Sequence, residues 1–87
     1  MYILLVYDVE EERVNRIMKI CRQYLNHIQN SVFEGQIKDS DFMELKSKLG
    51  KVIKNSADSV IIFKFLSEKY FKKEVIGINK SPTDNIL

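Results

Sequence analysis

The sequence predicts a small α+β domain, a two-layer sandwich with its helices packed on one face of a sheet. Three observations support this prediction. Two apolar runs have the length of strands, two segments have the period of helices, and the helical segments alternate with the strand-like ones. The resulting order is β-α-β-α-β-β, and the ferredoxin-like β-α-β-(β)-α-β sandwich fits it best at 87 residues. We expect residues 1–87 to form a single domain.

The first two elements are separated by a change of hydrophobic period near residue 10. The run MYILLVY is continuously apolar and rich in strand formers, which is typical of a strand covered on both faces. The apolar residues that follow lie on one face of a helix; they are Val14, Ile17, Met18, Cys21, Tyr24 and Leu25. Glu10, Glu11 and Glu12 occupy the first turn, where carboxylates suit the positive end of the helix dipole.

The stretch HIQNSVFEG, residues 27–35, predicts a strand that runs to about Ile37. It is polar for a core strand, and it is a poor match for a full hairpin because it has no Asn-Gly or Gly-Gly pair. A strand broken in two near Ser31 is the alternative. In a continuous strand, Gln29 and Ser31 alternate onto the same side as Phe33. That side would hydrogen-bond across a dimer axis.

The second half of the chain repeats the pattern of a helix followed by strands. The apolar positions of the second helix are Phe42, Leu45, Leu49, Val52 and Ile53. The segment SVIIFKF predicts the next strand, and YFKKEVIGI predicts a shorter final one.

Composition excludes several classes of protein. The net charge is +2, which does not by itself indicate a nucleic-acid partner. The single cysteine excludes an intrachain disulfide and a cysteine-based zinc site, and we expect a cytoplasmic protein. No apolar run approaches the ~20 residues that span a bilayer, and no signal peptide is visible. We therefore expect no membrane association.

Asp8 is the candidate for metal binding, because it ends the first strand with Tyr7 before it and two arginines on the next helix. Magnesium usually takes one or two carboxylates from a protein and keeps several waters. A symmetric dimer with this strand end near its axis would supply a second carboxylate. The alternatives are a turn or helix-capping aspartate for Asp8, and a solvated helix terminus for the glutamates at 10–12.

Lysines of the second helix are candidates for contact with phosphates. Lys48, Lys51 and Lys54 are spaced three residues apart, so we expect them along one side of that helix, although a solvated face is the alternative. His27 is the only histidine, which excludes a histidine-rich zinc site within one chain. No glycine-rich phosphate loop and no acyl-transfer motif is present.

Three segments together resemble the Cas-two (Cas2) family of small CRISPR-associated nucleases, which work with the CRISPR integrase. The segments are LLVYDV, IQNSVFEG and VIGINKSPTDNIL, and a helix carrying Arg13 and Arg16 lies between the first two. The resemblance covers essentially the whole chain, and the pairing of the Tyr-Asp strand end with QNSVFEG is its most specific part.

The resemblance implies a ferredoxin-like homodimer in which a C-terminal segment, about residues 79–87, adds a strand to the partner's sheet. It also implies that Asp8 of both subunits binds Mg²⁺, with Mn²⁺ as the alternative ion. Tyr7, Arg13, Arg16 and Phe33 would then be supporting catalytic residues.

His27 departs from the family pattern, which commonly has arginine just before the Ile-Gln-x-Ser-Val-Phe strand. The corresponding phosphate contact would depend on pH here, since an unperturbed histidine is charged only below about pH 6.5.

The resemblance implies a role in CRISPR spacer acquisition in one or both of two ways. The protein would be a metal-dependent endonuclease that cleaves phosphodiester bonds in DNA or single-stranded RNA, or a scaffold that holds duplex DNA between CRISPR integrase subunits. A toxin-type ribonuclease of a toxin–antitoxin system is the third candidate, because a ferredoxin-like toxin family shares this architecture.

Overall fold

The computed structural model describes residues 1–80. The elements in chain order are β1 (Tyr2–Asp8), α1 (Glu11–Arg22), β2 (Asn26–Gln29), β3 (Val32–Gln36), α2 (Asp39–Val52), β4 (Ser59–Phe65) and a 3₁₀ turn at Glu68–Tyr70. The four strands form one antiparallel sheet in the order β2-β3-β1-β4, which is the ferredoxin-like arrangement. The predicted α+β fold class is therefore confirmed.

The core lies between the sheet and the two helices. The side chains of Ile3 and Leu5 on β1 and of Phe33 on β3 are fully buried, and they pack against Ile17 of α1 and Leu45 of α2. Burying an aliphatic or aromatic side chain of this size contributes about 1.5–3 kcal/mol relative to leaving it exposed. The strand-like and helical apolar patterns of the sequence thus meet in a single core.

α2 ends at Val52, because Ile53 adopts extended backbone dihedral angles of φ −68° and ψ 154°. Lys54 therefore lies beyond the helix. The prediction that it continues a helical line with Lys48 and Lys51 is wrong, since the helix ends two residues before Lys54. Within residues 1–80, no helix is long and apolar enough to cross a membrane.

The polar middle stretch is a hairpin rather than one strand. β2 and β3 pair antiparallel through a two-residue connection at Asn30 and Ser31, and Asn30 has a φ of 44°. The expectation that this region does not form a full hairpin is therefore wrong, whereas the break near Ser31 is confirmed. Asparagine tolerates the left-handed region that such a tight turn uses, so a glycine is not required.

The hairpin also changes which side chains share a face. His27 is registered against Phe33, and Gln29 against Val32, with a shift in register between them. Cross-strand partners lie on the same face of a sheet, so Gln29 lies on the face opposite Phe33. The expected alternation of Gln29 and Ser31 with Phe33 is wrong, because the turn and the bulge interrupt the strand.

Residues 66–80 contain no strand, so the prediction of a short strand over YFKKEVIGI is wrong within this chain. The segment instead crosses the face of the sheet that carries no helices. The Phe71 ring lies 5.1 Å from the rings of Tyr2 and Phe65, and Lys73 Nζ donates to Glu34 Oε1 at 2.6 Å. The predicted partner-exchanged segment, about 79–87, lies outside the described residues apart from 79 and 80.

The positive φ of Asn30 generates a testable prediction. Asn30→Val is expected to lower the free energy of unfolding by about 1–2 kcal/mol, because β-branched L-residues are strained in the left-handed region. Asn30→Gly should cost less than half as much. The measurement is urea unfolding followed by circular dichroism at a fixed protein concentration. Equal stability of the two variants would contradict the proposed strain, and Ser31→Val serves as the control at the neighbouring turn position.

Candidate functional site

Asp8 lies at the end of β1 on the face of the sheet that carries no helices. It is registered against Ser59 of β4, and its side chain is exposed. Within residues 1–80, its carboxylate forms no hydrogen bond or ion pair with another side chain or with the backbone. The carboxylate is therefore available to a ligand from solution.

A cavity of about 330 Å³ lies beside Asp8. It is lined by Tyr7, Asp8, Val9, Val14, Met18, Asn30 and Ser31. Asn30 and Ser31 of the hairpin turn line one part of its wall, and Val14 and Met18 of α1 line another. The β2–β3 hairpin therefore supplies one side of the candidate site.

Tyr7, Phe33 and His27 form a continuous stack of rings on the helical side of the sheet. The ring centroids of His27 and Phe33 are 4.5 Å apart with an interplanar angle of 13°, and those of Phe33 and Tyr7 are 6.1 Å apart. Phe33 is fully buried and Tyr7 is nearly so. Burial raises the pKa of the Tyr7 phenol, which therefore stays protonated. These rings support the site from the helical side of the sheet.

The same residues hold the Asn30–Ser31 turn next to Asp8. His27 Nε2 lies 2.7 Å from the carbonyl oxygen of Asn30, and the Tyr7 amide donates to the carbonyl oxygen of Ser31 at 3.1 Å. His27 thus contacts its own hairpin turn in this structure, and its contact with nucleic acid stays a prediction.

Arg13 forms an internal clamp with Asp58, which precedes β4. Arg13 Nη2 donates to Asp58 Oδ1 at 2.9 Å, and its Nε donates to the other carboxylate oxygen. Asp58 also accepts from the amides of Glu10 and Lys54, at 3.0 and 2.7 Å. Its side chain has no solvent-accessible surface. The clamp joins the start of α1 to the connection before β4.

The clamp shifts the pKa values of both partners. Hydrogen bonds from the Arg13 side chain, and then from the amides of Lys54 and Glu10, hold the pKa of Asp58 well below its usual range. The bonds to Asp58 and Glu10 raise the pKa of Arg13 further. Both groups therefore stay charged. Because the Arg13 side chain is only 13% exposed and is engaged by Asp58, Arg13 supports the fold near Asp8.

The other cationic residues predicted to bind nucleic acid or to support catalysis are either exposed or in contact with other side chains. Arg16, Lys51 and Lys54 are exposed. Lys48 instead donates to Gln23 Oε1 at 2.8 Å, lies 3.3 Å from Glu44 Oε1, and sits over the Tyr24 ring. Lys48 therefore bridges the two helices.

One chain provides a single carboxylate for a metal ion at this site. Among the side chains of residues 1–80, no group of three or more His, Cys, Asp and Glu could hold one. An exposed, unpartnered carboxylate fits magnesium nevertheless, because this ion takes one or two protein carboxylates and retains waters. Cys21 does not compete as a ligand or nucleophile, since burial raises its pKa to about 12.

Two residues with structural roles were missed by sequence reasoning, one beside the site and one farther along the sheet. Asp58 looks like a turn residue in NSAD, and only its position opposite Arg13 in space reveals the clamp. Glu34 lies in a strand that we predicted, yet it is buried beneath residues 71–73 and pairs with Lys73. Neither contact has a signal in the sequence, because the partners are 45 and 39 residues apart.

The strand order and Asp8 define the class of protein: a ferredoxin-like domain with an exposed carboxylate at the end of its central strand. A family model described as "CRISPR associated protein Cas2" matches residues 1–73. The chain belongs to the Cas2 family, as its motifs predicted.

Relatives and solved structures agree with this assignment. The CRISPR-associated endoribonuclease Cas2 of Thermococcus kodakarensis is 46% identical over 87 residues, covering 100% of both chains. The protein of the same name from Methanothermobacter thermautotrophicus is 46% identical, covering 99% of this chain and 94% of its own. A crystal structure of Cas2 superposes with a TM-score of 0.85 at 45% identity, covering 94% of this chain and 92% of the other. Streptococcus pyogenes Cas2 gives 0.78 at 29% identity, covering 88% and 100%.

The clamp generates a prediction about pH. The folded state lowers the pKa of Asp58 below its ordinary value of 3.8, so the ionised carboxylate stabilises the fold at pH values above that value. This contribution is lost as the pH falls through the folded-state pKa. Asp58→Asn is therefore expected to lower the Tm at pH 7, and the difference from wild type should shrink below about pH 4.

Thermal unfolding of both proteins between pH 7 and pH 2.5 checks this prediction. Glu74→Gln is the control, because Glu74 is an exposed carboxylate outside the helices and strands. A difference in Tm that is constant across the whole range would contradict the role assigned to the carboxylate.

Proposed function

We propose that this protein is a magnesium-dependent endoribonuclease of a CRISPR system, with Asp8 as the metal-binding residue. The observation that carries the proposal is the exposed carboxylate of Asp8, which has no partner within residues 1–80 and borders the cavity beside the Asn30–Ser31 turn. RNA is favoured as the substrate because the relatives described above are named endoribonucleases. Membership of the Cas2 family favours this role over a toxin-type ribonuclease.

The proposal includes a homodimer that brings two copies of Asp8 together. Asp8 shares its face of the sheet with Ile61 and Phe63 of β4, whose side chains are 51% and 49% exposed. Large exposed hydrophobic residues on one face are typical of an interaction surface. Covering this face with a second copy would place the ends of the two β1 strands at the same interface.

The protein's own residues have distinct parts in the proposed reaction. Asp8 holds the ion, the His27–Phe33–Tyr7 stack positions the turn beside it, and Arg16 supplies positive charge from the exposed side of α1. When bound, magnesium would polarise the scissile phosphodiester and neutralise charge that develops on it. An arginine near the phosphate would stabilise the same charge.

Asp8→Asn tests the proposal directly. Wild type is expected to cleave labelled single-stranded RNA with Mg²⁺ and not with EDTA, and Asp8→Asn should reduce cleavage to the EDTA level because the metal-binding charge is lost. Mn²⁺ is tested in parallel, and labelled duplex DNA is the comparison substrate. The matched control is Asp39→Asn, which removes an exposed carboxylate at another position.

Two outcomes would overturn the proposal. Cleavage that persists in Asp8→Asn would mean that this carboxylate is not required. Failure of wild type to cleave RNA with either metal would remove the enzymatic assignment and leave the scaffold role.

The two arginines of α1 are expected to behave differently. Arg16→Gln should lower the RNA cleavage rate at least about tenfold with the Tm unchanged, because Arg16 is exposed and its charge is available to substrate. Arg13→Gln should lower the Tm, because it leaves the buried Asp58 carboxylate without its guanidinium partner. Cleavage rates and thermal melts of both variants are the measurements. A loss of stability in Arg16→Gln would contradict the distinction.

A second function, a nucleic-acid scaffold beside CRISPR integrase subunits, is favoured by the exposed lysines. Lys51 and Lys54 are exposed and form no ion pair among the described residues. Scaffold activity predicts duplex DNA binding that survives Asp8→Asn and weakens steeply with salt.

A further inference from the structure

Two lysines from different elements meet at one aromatic ring. Lys46 Nζ of α2 lies 4.6 Å from the centroid of the Phe42 ring, and Lys64 Nζ of β4 lies 5.5 Å from the same centroid. The two ammonium groups are therefore no farther apart than the sum of these distances. Phe42 itself is only 5% exposed, so it forms a rigid base beneath them.

The charges of this lysine pair are not neutralised by the described part of the protein. Within residues 1–80, neither ammonium group lies within 4.0 Å of a carboxylate oxygen, whereas Lys48 on the same helix is paired with Glu44. The Phe42 ring attracts both cations through its π face but carries no net charge. Two like charges held together in this way create a local positive potential that attracts an anion.

The surface around the lysine pair is open. Both side chains are exposed. One helical turn after Lys46 lies Gly50, where an added Cβ would meet no atom within 4 Å. Lys38, one turn before Phe42, is also exposed and adds a third cation at the start of α2. The space beside Gly50 is therefore open to an extended polyanion.

The lysine pair is separate from the candidate metal site. Lys64 is registered against Ile3, whose side chain is buried on the helical side of the sheet, and Asp8 is registered against Ser59 on the opposite face. Lys64 and Ser59 are five residues apart on one strand, which corresponds to about 17 Å. Changes at the lysine pair should therefore leave the chemistry at Asp8 unaltered.

We propose that Lys46 and Lys64 form a phosphate-contacting site for the sugar–phosphate backbone of a nucleic acid, distinct from the site at Asp8. This inference rests on the proposed function insofar as the ligand is a nucleic acid. The site is electrostatic and independent of base sequence, because ammonium groups contact phosphates and carry no base readout. It also differs from the surface predicted from the sequence, since Lys48 is engaged and Lys54 lies beyond α2.

The experiment compares two double variants that remove the same charge. Lys46→Gln/Lys64→Gln removes the pair and keeps long side chains over Phe42, and Lys19→Gln/Lys72→Gln removes two exposed lysines outside the candidate nucleic-acid surfaces. The probes are a labelled 30-base-pair DNA duplex and a labelled single-stranded RNA of the same length. Their dissociation constants are measured between about 50 and 200 mM salt. Lys46→Arg/Lys64→Arg tests whether the positive charge is sufficient, and thermal melts verify folding.

The expected result is specific to the pair. Lys46→Gln/Lys64→Gln should lower the slope of log Kd against log salt by about 1–2, which corresponds to the loss of one or two phosphate contacts, and the arginine variant should restore it. Lys19→Gln/Lys72→Gln should have a smaller effect. In the cleavage assay, the KM should rise while kcat stays unchanged.

The opposite results would overturn the inference. They are distinguishable from a failure of the proposed function. Equal slopes for wild type and Lys46→Gln/Lys64→Gln, or equal losses in both glutamine variants, would mean that the pair has no specific role. Such a result with intact, Asp8-dependent cleavage would leave the nuclease assignment standing. If wild type bound neither probe, both the phosphate-contacting site and nucleic-acid binding would be excluded.

Discussion

The alternation of side chains along β1 is the constraint on which the rest of the structure depends. β1 is central in the sheet and pairs with β3 on one side and β4 on the other. Ile3, Leu5 and Tyr7 consequently face the helices, where they are buried, and Asp8 faces away from them. A shift of register by one residue would exchange these faces, so the hydrophobic core and the exposed position of the carboxylate are fixed together.

The surroundings of Asp8 are held in place by contacts from separate parts of the chain. The ring stack of His27, Phe33 and Tyr7 fixes the hairpin turn on one side. The clamp between Arg13 and Asp58 fixes the start of α1 on the other. None of these residues needs to contact a ligand to matter for the site. Rigid support of this kind is what keeps a single functional group in a defined position.

Sequence reasoning predicted the fold because the signals for it are local. The apolar run before Asp8, the stripe that includes Ile17 and the stripe that includes Leu45 each specify an element by their own period. The position of Asp8 at a strand end follows from the same signals. The hairpin was missed because Asn30 adopts a positive φ without a neighbouring glycine. The prediction of a strand over residues 70–78 was wrong, because this segment crosses one face of the sheet.

The candidate site was predicted less completely, since its contacts join residues distant in sequence. Nothing around Arg13 distinguishes it from Arg16 until Asp58 is placed beside one of them. The lysines of α2 look alike in sequence, but Glu44, Tyr24 and Gln23 engage Lys48 alone. Nothing in the sequence indicated that Lys64 lies near Lys46, because β4 and α2 meet at the Phe42 ring only in the folded protein.

The pairing of Tyr2 with Phe65 has a consequence for synthesis on the ribosome. β3 can cover one edge of β1 as soon as Gln36 has emerged, but the other edge waits for β4. At roughly 5–20 residues per second, this leaves one edge of the central strand unpaired in the nascent chain for on the order of a few seconds. During that interval the open edge can pair with another chain.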